Sequence, residues 1–336
     1  MKNQDFAKPN YASWHITADQ FPSSERLGDK IRFLSRYGSL APSVHNTQPW
    51  TIEYEEDRMF LAPDSNVALH QADPEGIWQY FSLGAYAENV CQAAEAYGLE
   101  AEVVFDSEKL QIRFREGESQ NLGLLDAITK RSSVKRPYSM VPLDVEFERR
   151  LSELKVEAGV SLIVANQGSS LFDSCVEVHM RAMQITVKNS GFVRELSRWM
   201  RANNTRSETG MPGFVVGLPL LPSLILPKVL KVVPGAFAKA ENMEQQLIKS
   251  SSGLVVVTAE NTNPQTMINV GIYTERLWLD IIRAGMVGHP MTAALHNADS
   301  SSELAKVLGT QNRPVFLMRI GSVENAQVLH TPRKRV

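Results

Sequence analysis

Two stretches of this chain, far apart along it, are versions of one another. SLGAYAENVCQAAEAYGLE begins at Ser82 and NVGIYTERLWLDIIRAGMV begins at Asn269. Laid over each other, Gly84 meets Gly271, Tyr86 meets Tyr273, Glu88 meets Glu275 and Gly98 meets Gly285. Such a self-match limits the available folds, because each copy has to bury the same face in the same way. Both stretches have helical spacing. Each opens on a residue suited to an N-cap, Ser82 or Asn269, and each closes on a glycine suited to a C-cap. Val90, Ala93, Ala94 and Tyr97 line one, and Leu277, Ile281 and Ile282 line the other. Apolar lining on more than one face predicts buried helices.

The surroundings repeat as well. The segments 58–64 (RMFLAPD) and 252–260 (SGLVVVTAE) precede the two helices, and 109–114 (KLQIRF) and 313–321 (RPVFLMRIG) follow them. All four read as strands. The expected fold class is α+β, with two related halves at 27–118 and 122–336 joined by the polar REGESQN. Two such halves are expected to form one pseudo-symmetric unit, like a dimer fused into one chain. Residues 1–26 read as an arm, loose or packed on a partner surface.

Composition narrows the function. The 336 residues carry 35 Lys plus Arg against 37 Asp plus Glu, which gives no electrostatic footprint for nucleic acid. Cys91 and Cys175 lie far apart in no metal or redox spacing, so a reducing, cytoplasmic setting is the expectation. The seven histidines show no ligand spacing, and no metal is expected. The N-terminus has no apolar core of a signal peptide. Residues 211–235 are apolar, but Pro212, Pro219, Pro222, Pro227 and Pro234 break the run. A buried, irregular flap is expected there rather than a membrane span, and a membrane-surface patch is the other reading.

Three clusters carry polar chemistry. In APSVHNTQPW (41–50), Pro42 and Pro49 forbid helix, and Asn46 and Gln48 each carry an amide donor and acceptor. Such groups suit a heterocycle with both along one edge; the same stretch also reads as a turn with locally satisfied side chains. In TKRSSVKRPY (129–138), Arg131 and Lys135 interleave with Ser132 and Ser133, which suits a phosphate as well as it suits a solvated basic linker. The tail TPRKRV adds Arg333, Lys334 and Arg335.

APSVHNTQPW resembles the APSxxNxQPW segment of the nitroreductase family of flavin mononucleotide (FMN) oxidoreductases. RSSVKRPY resembles that family's Arg-x-Ser-x-Arg/Lys motif, and YTERLWLDIIRAGMVGHPM its long central helix with the loop and proline after it. RPVFLMRIGSV and the terminal TPRKRV resemble its last strand and basic end. The likeness runs from about residue 27 to the end, and its split motifs resemble a fused-dimer, lid-bearing branch with one flavin site per chain.

The resemblance implies a nitroreductase-like fold and an enzyme that takes hydride from NAD(P)H onto FMN and passes it to a small acceptor, a nitroaromatic or a quinone. It implies that Pro42, Ser43 and Asn46 contact the flavin, that Gln48 orients the loop, and that Arg131 and Ser133 hold the phosphate with Arg333 or Arg335. It places Lys135 near the N1/O2 edge of the ring and Pro290, Met291 and Thr292 near N5, through a backbone N–H. No side chain is expected to act as a nucleophile. His45 and His289 are expected to pack or hydrogen-bond rather than shuttle protons. The other readings are a flavin-storage protein closed by the 211–235 flap and a lipid-associated protein. Either a monomeric pseudo-dimer or a homodimer fits.

Overall fold

The structure, a computed structural model, describes residues 7–106, 108–117, 122–225, 241–324 and 329–336. After two short 3-10 turns come α1 (Leu27–Gly38), β1 (Trp50–Tyr54), β2 (Arg58–Pro63), α2 (Ile77–Ala96), β3 (Leu99–Phe105) and β4 (Leu110–Glu116). Then follow α3 (Gly123–Lys130), α4 (Val145–Glu153), β5 (Val160–Asn166), α5 (Ser170–Lys188), α6 (Ser190–Trp199) and the short β6 (Met200–Arg201) and β7 (Met211–Pro212). The described chain ends with α7 (Glu241–Lys249), β8 (Gly253–Ala259), α8 (Pro264–Arg283), β9 (Val287–Pro290), α9 (Ala298–Val307) and β10 (Arg313–Gly321).

Helices pack on two antiparallel four-stranded sheets, ordered β1-β2-β4-β3 and β5-β8-β10-β9. This is an α+β fold. The two orders match position for position, each with its central helix between the second and third strands in sequence. β8 carries three consecutive valines, is buried along its whole length and lies between β5 and β10, as β-branched runs do in covered sheets.

The repeated glycines lie where α2 and α8 cross. A methyl on Gly84 would sit 2.1 Å from the Ile268 carbonyl oxygen and 3.0 Å from the Ile272 nitrogen. A methyl on Gly271 would sit 2.0 Å from the Phe81 oxygen and 2.9 Å from the Ala85 nitrogen. In the aligned register Phe81 corresponds to Ile268 and Ala85 to Ile272, so each glycine makes its partner's contact from the other side. A self-complementary contact of this kind defines a local two-fold relation.

The expected starts of the central helices need correction. Both central helices start earlier than Ser82 and Asn269, which lie inside them. The apolar face extends upstream through Ile77, Trp78 and Phe81 in α2, and Asn263 caps α8 by accepting the Thr266 N–H at 2.9 Å ahead of Pro264. Between α5 and α6, Asn189 turns the chain and caps α6 through the Gly191 and Phe192 N–H groups.

The arm is not loose within its described part. Trp14 Nε1 donates to the Thr331 carbonyl at 2.8 Å, and the Arg333 N–H donates to the Asn10 carbonyl at 2.9 Å. Buried aromatic and main-chain pairing thus clamp it to the chain's own C-terminus. Of the apolar flap, 211–225 is described and 226–235 lies outside the described residues. No described helix is long and apolar enough to cross a membrane.

Candidate functional site

A cavity of about 240 Å³ opens beside the crossing of the central helices. Trp78 and Phe81 from α2, Trp278 from α8 and Phe316 from β10 give it apolar walls. Arg131, over the Trp278 ring at 4.8 Å, and Arg333 make part of the lining basic. Pro42, Ser43 and Asn46 form one side, Ser133 follows Arg131, and Pro290 and Thr292 enter from the end of β9. Segments distant in sequence therefore meet around one volume.

Local chemistry explains the loop. His45, Asn46 and Gln48 all have positive φ, at 53°, 55° and 54°. Asparagine and histidine visit that region more readily than other side chains, whereas glutamine there has to be held by tertiary bonds. Asn46 Nδ2 donates to the Gly210 carbonyl at 3.0 Å and the Pro332 carbonyl at 2.9 Å, and its Oδ1 accepts from Arg333. Gln48 Nε2 donates to the Glu208 carbonyl at 2.7 Å, and its Oε1 accepts the Lys334 N–H at 2.8 Å. Neither amide is left to read the edge of a heterocycle. They bind the flap and the tail to the loop, and Asn46 aims Arg333.

The second motif is set by an arginine absent from the sequence expectations. Arg319 of β10 is fully buried and donates to the Val134 carbonyl at 3.2 Å and the Arg136 carbonyl at 3.0 Å. The Val134 N–H donates to the Gly288 carbonyl at 3.0 Å. Ser133 is thereby presented at the cavity wall.

The electrostatics are asymmetric. Arg131 and Arg333 are each 3% exposed, and Glu275 is fully buried beside Arg131 with an N–O separation of 3.0 Å. Burial pulls the Arg131 guanidinium down and pushes the Glu275 carboxyl up to about 7, and in both the partner's charge opposes the shift. Burial, then repulsion from Arg131, pulls Arg333 well below the ordinary arginine range. Nε of Arg333 has no hydrogen-bond partner among the described residues. Two buried cations against one carboxylate with weakened ionisation leave positive charge uncompensated, and an anion repairs this. The residues fit a planar ligand with an anionic tail.

The histidines here are neutral near pH 7. Burial, then His296, pushes His45 down to about 3; burial, then Lys135 and Arg319, holds His289 well below its usual range.

Four expected residues stand outside the cavity. Gln48 lies behind the loop as described. Lys135 Nζ is 2.7 Å from the buried Glu244 carboxylate. Met291 is buried, and its N–H donates to the Leu317 carbonyl at 2.8 Å. Arg335 is largely exposed, near Glu208. The wall residues Trp14, Trp78, Phe81, Trp278, Phe316 and His330 were not singled out from sequence. The only signal was the lone indole of Trp14 in a polar arm, which here lies under Arg333 with 4.9 Å from the guanidinium carbon to the ring.

The pseudo-symmetric position is closed. Glu88, the counterpart of Glu275, is paired with Arg276 at 2.8 Å, and Arg276 also reaches Glu157 at 2.8 Å. A side chain of α8 occupies there what Arg131 and open space occupy at the first position.

Fold and site thus define an α+β protein with a basic, aromatic-walled pocket beside its paired central helices. No protein-family model matches the chain. It is 24% identical over 333 residues to "Putative NAD(P)H nitroreductase Rv3131" of Mycobacterium tuberculosis (strain ATCC 25618 / H37Rv), covering 94% of this chain and 91% of that protein. Among solved structures it is similar to the FMN-dependent nitroreductase NfnB from Mycobacterium smegmatis in complex with NADPH, at 14% identity and TM-score 0.41 over 64% of this chain and 95% of that one. It is also similar to a BluB-like flavoprotein from Clostridium difficile 630, at 14% identity and TM-score 0.42 over 65% and 96%.

Proposed function

We propose that the protein is an FMN-dependent, nitroreductase-like oxidoreductase, a fused pseudo-dimer with one flavin site per chain. The observation that carries this is the meeting of Pro42, Ser43, Arg131, Ser133 and Arg333 around one aromatic-walled cavity with uncompensated buried positive charge. The full-length similarity to a protein named for NAD(P)H nitroreduction supports it. The reciprocal glycine contact supports the fused-dimer reading, and the Arg276 plug supports a single site.

Arg131 and Arg333 would hold the phosphate, with Ser133 as a neutral donor. Pro42 and Ser43 would flank the ring system, with Trp78, Phe81, Trp278 and Phe316 keeping water from it. Bound FMN supplies the hydride chemistry, from NAD(P)H to a nitroaromatic or quinone.

A second reading, flavin storage, is favoured by one observation. The flap is pinned over the site: Met211, Val215 and Val216 line the cavity, and Gly210 and Asn46 exchange bonds at 3.1 and 3.0 Å. Flavin stoichiometry and stopped-flow absorbance with NADH and NADPH test both. One FMN per chain, bleached by a reduced nicotinamide and lost in Arg131→Ala, is expected. Bound flavin that stays oxidised under anaerobic NAD(P)H supports storage; wild type that ignores added FMN refutes both.

A further inference from the structure

The two halves differ at one edge. In the first sheet the helix-facing residues of β1 are Trp50, Ile52 and Tyr54, paired so that Trp50 lies opposite Pro63. In the second sheet β5 holds the same edge, Val160 lies opposite Ala259, and the corresponding residues are Val160, Leu162 and Val164. An indole and a phenol are thus replaced by two isopropyl groups.

In the first half that volume is filled and its polar atoms are paired. The Trp50 ring packs on Tyr86 at 5.2 Å, the Tyr86 hydroxyl donates to the Ser35 carbonyl at 2.7 Å, and the Tyr54 hydroxyl donates to Ser35 Oγ at 2.8 Å. In the second half the matching sequence is Leu151–Ser152 of α4, but Ser152 is exposed where Ser35 is fully buried, so α4 leaves this edge open. Ser152 Oγ donates to Arg149 O at 2.7 Å, as Ser35 Oγ does to Arg32 O. Tyr273, the counterpart of Tyr86, is fully buried, and its hydroxyl has no hydrogen-bond partner among the described residues. Between α4, β5 and Tyr273 lies a cavity of about 310 Å³, walled by Leu151, Val160, Leu162 and Val164 and rimmed by Glu148 and Ser152.

We propose that this crevice is a second small-molecule site, separate from the basic, aromatic-walled pocket, for a neutral phenol- or indole-class ring. The ring takes the place that Trp50 and Tyr54 fill in the other half, and its polar atom meets the Tyr273 hydroxyl. A hydroxyl can donate or accept, and one buried without a partner favours a ligand that supplies one. The Glu148 carboxylate at the rim disfavours anions. The aromatic-sized void follows from the substitutions at the two valines, as cavities left by truncated side chains take up small rings.

Titration calorimetry on the full chain saturated with FMN, with 4-ethylphenol, ethylbenzene, indole and benzoate as probes, tests the proposal. Saturable binding of one neutral ring per chain, with benzoate not bound, is expected. Val160→Trp should raise the Tm and abolish that binding. Tyr273→Phe should weaken 4-ethylphenol about fivefold or more while leaving ethylbenzene unchanged. Absence of saturable binding by any neutral ring, or binding unaltered in both variants, overturns it. If Val160→Trp does not fold, the paired affinities of Tyr273→Phe decide alone. Because FMN occupies or is refused by a different cavity, failure here leaves the flavin reading untouched, and the converse holds.

Discussion

Asn46 does more for the site than its place in the motif suggests. Its side chain joins three segments, the loop itself, the flap at Gly210 and the tail at Pro332 and Arg333. Removing it takes one acceptor from the buried Arg333 guanidinium, which keeps Thr331, Pro332 and Leu40, and one donor each from the Gly210 and Pro332 carbonyls. Asn46→Ala is therefore expected to cost about 2–3 kcal/mol and to loosen the tail. Urea denaturation and limited proteolysis at the C-terminus check both, and a variant as stable as wild type with a protected tail would show that the hub is redundant. Asn46→Asp should do less harm to the Arg333 contact than to the two carbonyl contacts, because a carboxylate accepts but cannot donate. Sequence pointed to residues 42–46 and 131–133 because hydrogen-bonding residues between prolines and beside arginines are locally conspicuous. It could not name the partners of the Asn46 and Gln48 amides, because which partner uses an amide is a tertiary fact.

At the scale of elements, the crossing of α2 and α8 is the tightest constraint. Gly84→Ala places a methyl about two ångströms from a helix carbonyl, where neither backbone can yield without moving the whole helix. A loss of about 3 kcal/mol or more is expected. Gly98→Ala, at a C-cap with φ of +75°, should cost about 1 kcal/mol. Comparing the two by thermal unfolding separates close approach from backbone conformation; equal losses would refute the reading of the crossing. The strands and both glycine stops were legible from alternation and punctuation. The N-termini were not, because upstream apolar residues extend a helix past any plausible internal cap.

At the scale of the whole molecule, the buried histidines give pH dependence a definite sign. Burial lowers His45 and His330 to about 3 and His179 and His296 to about 4. Each ring takes up its proton more readily in the unfolded chain, so its contribution to stability falls as pH falls from about 6.5 through about 4, while Glu275 and Asp73, raised by burial to about 7 and about 6, act in the opposite direction. His179 alone should contribute on the order of 3 kcal/mol to that loss. His179→Gln should flatten the slope of denaturation midpoint against pH between 6.5 and 4; an unchanged slope would mean that this ring is protonated without penalty. The same interior creates the functional polarity, since burial makes the two arginines demand an anion.

The sequence by itself determined the repeat, the α+β class and the polar residues able to meet an anionic ligand, because periodicity, turn chemistry and motif spacing are local properties. Only the tertiary structure decided which amides serve the fold, which cation faces the cavity, and which aromatic residues wall it. A side chain in a core and a side chain at a pocket wall are equally apolar in sequence, and they differ only in whether another part of the chain fills the space beside them.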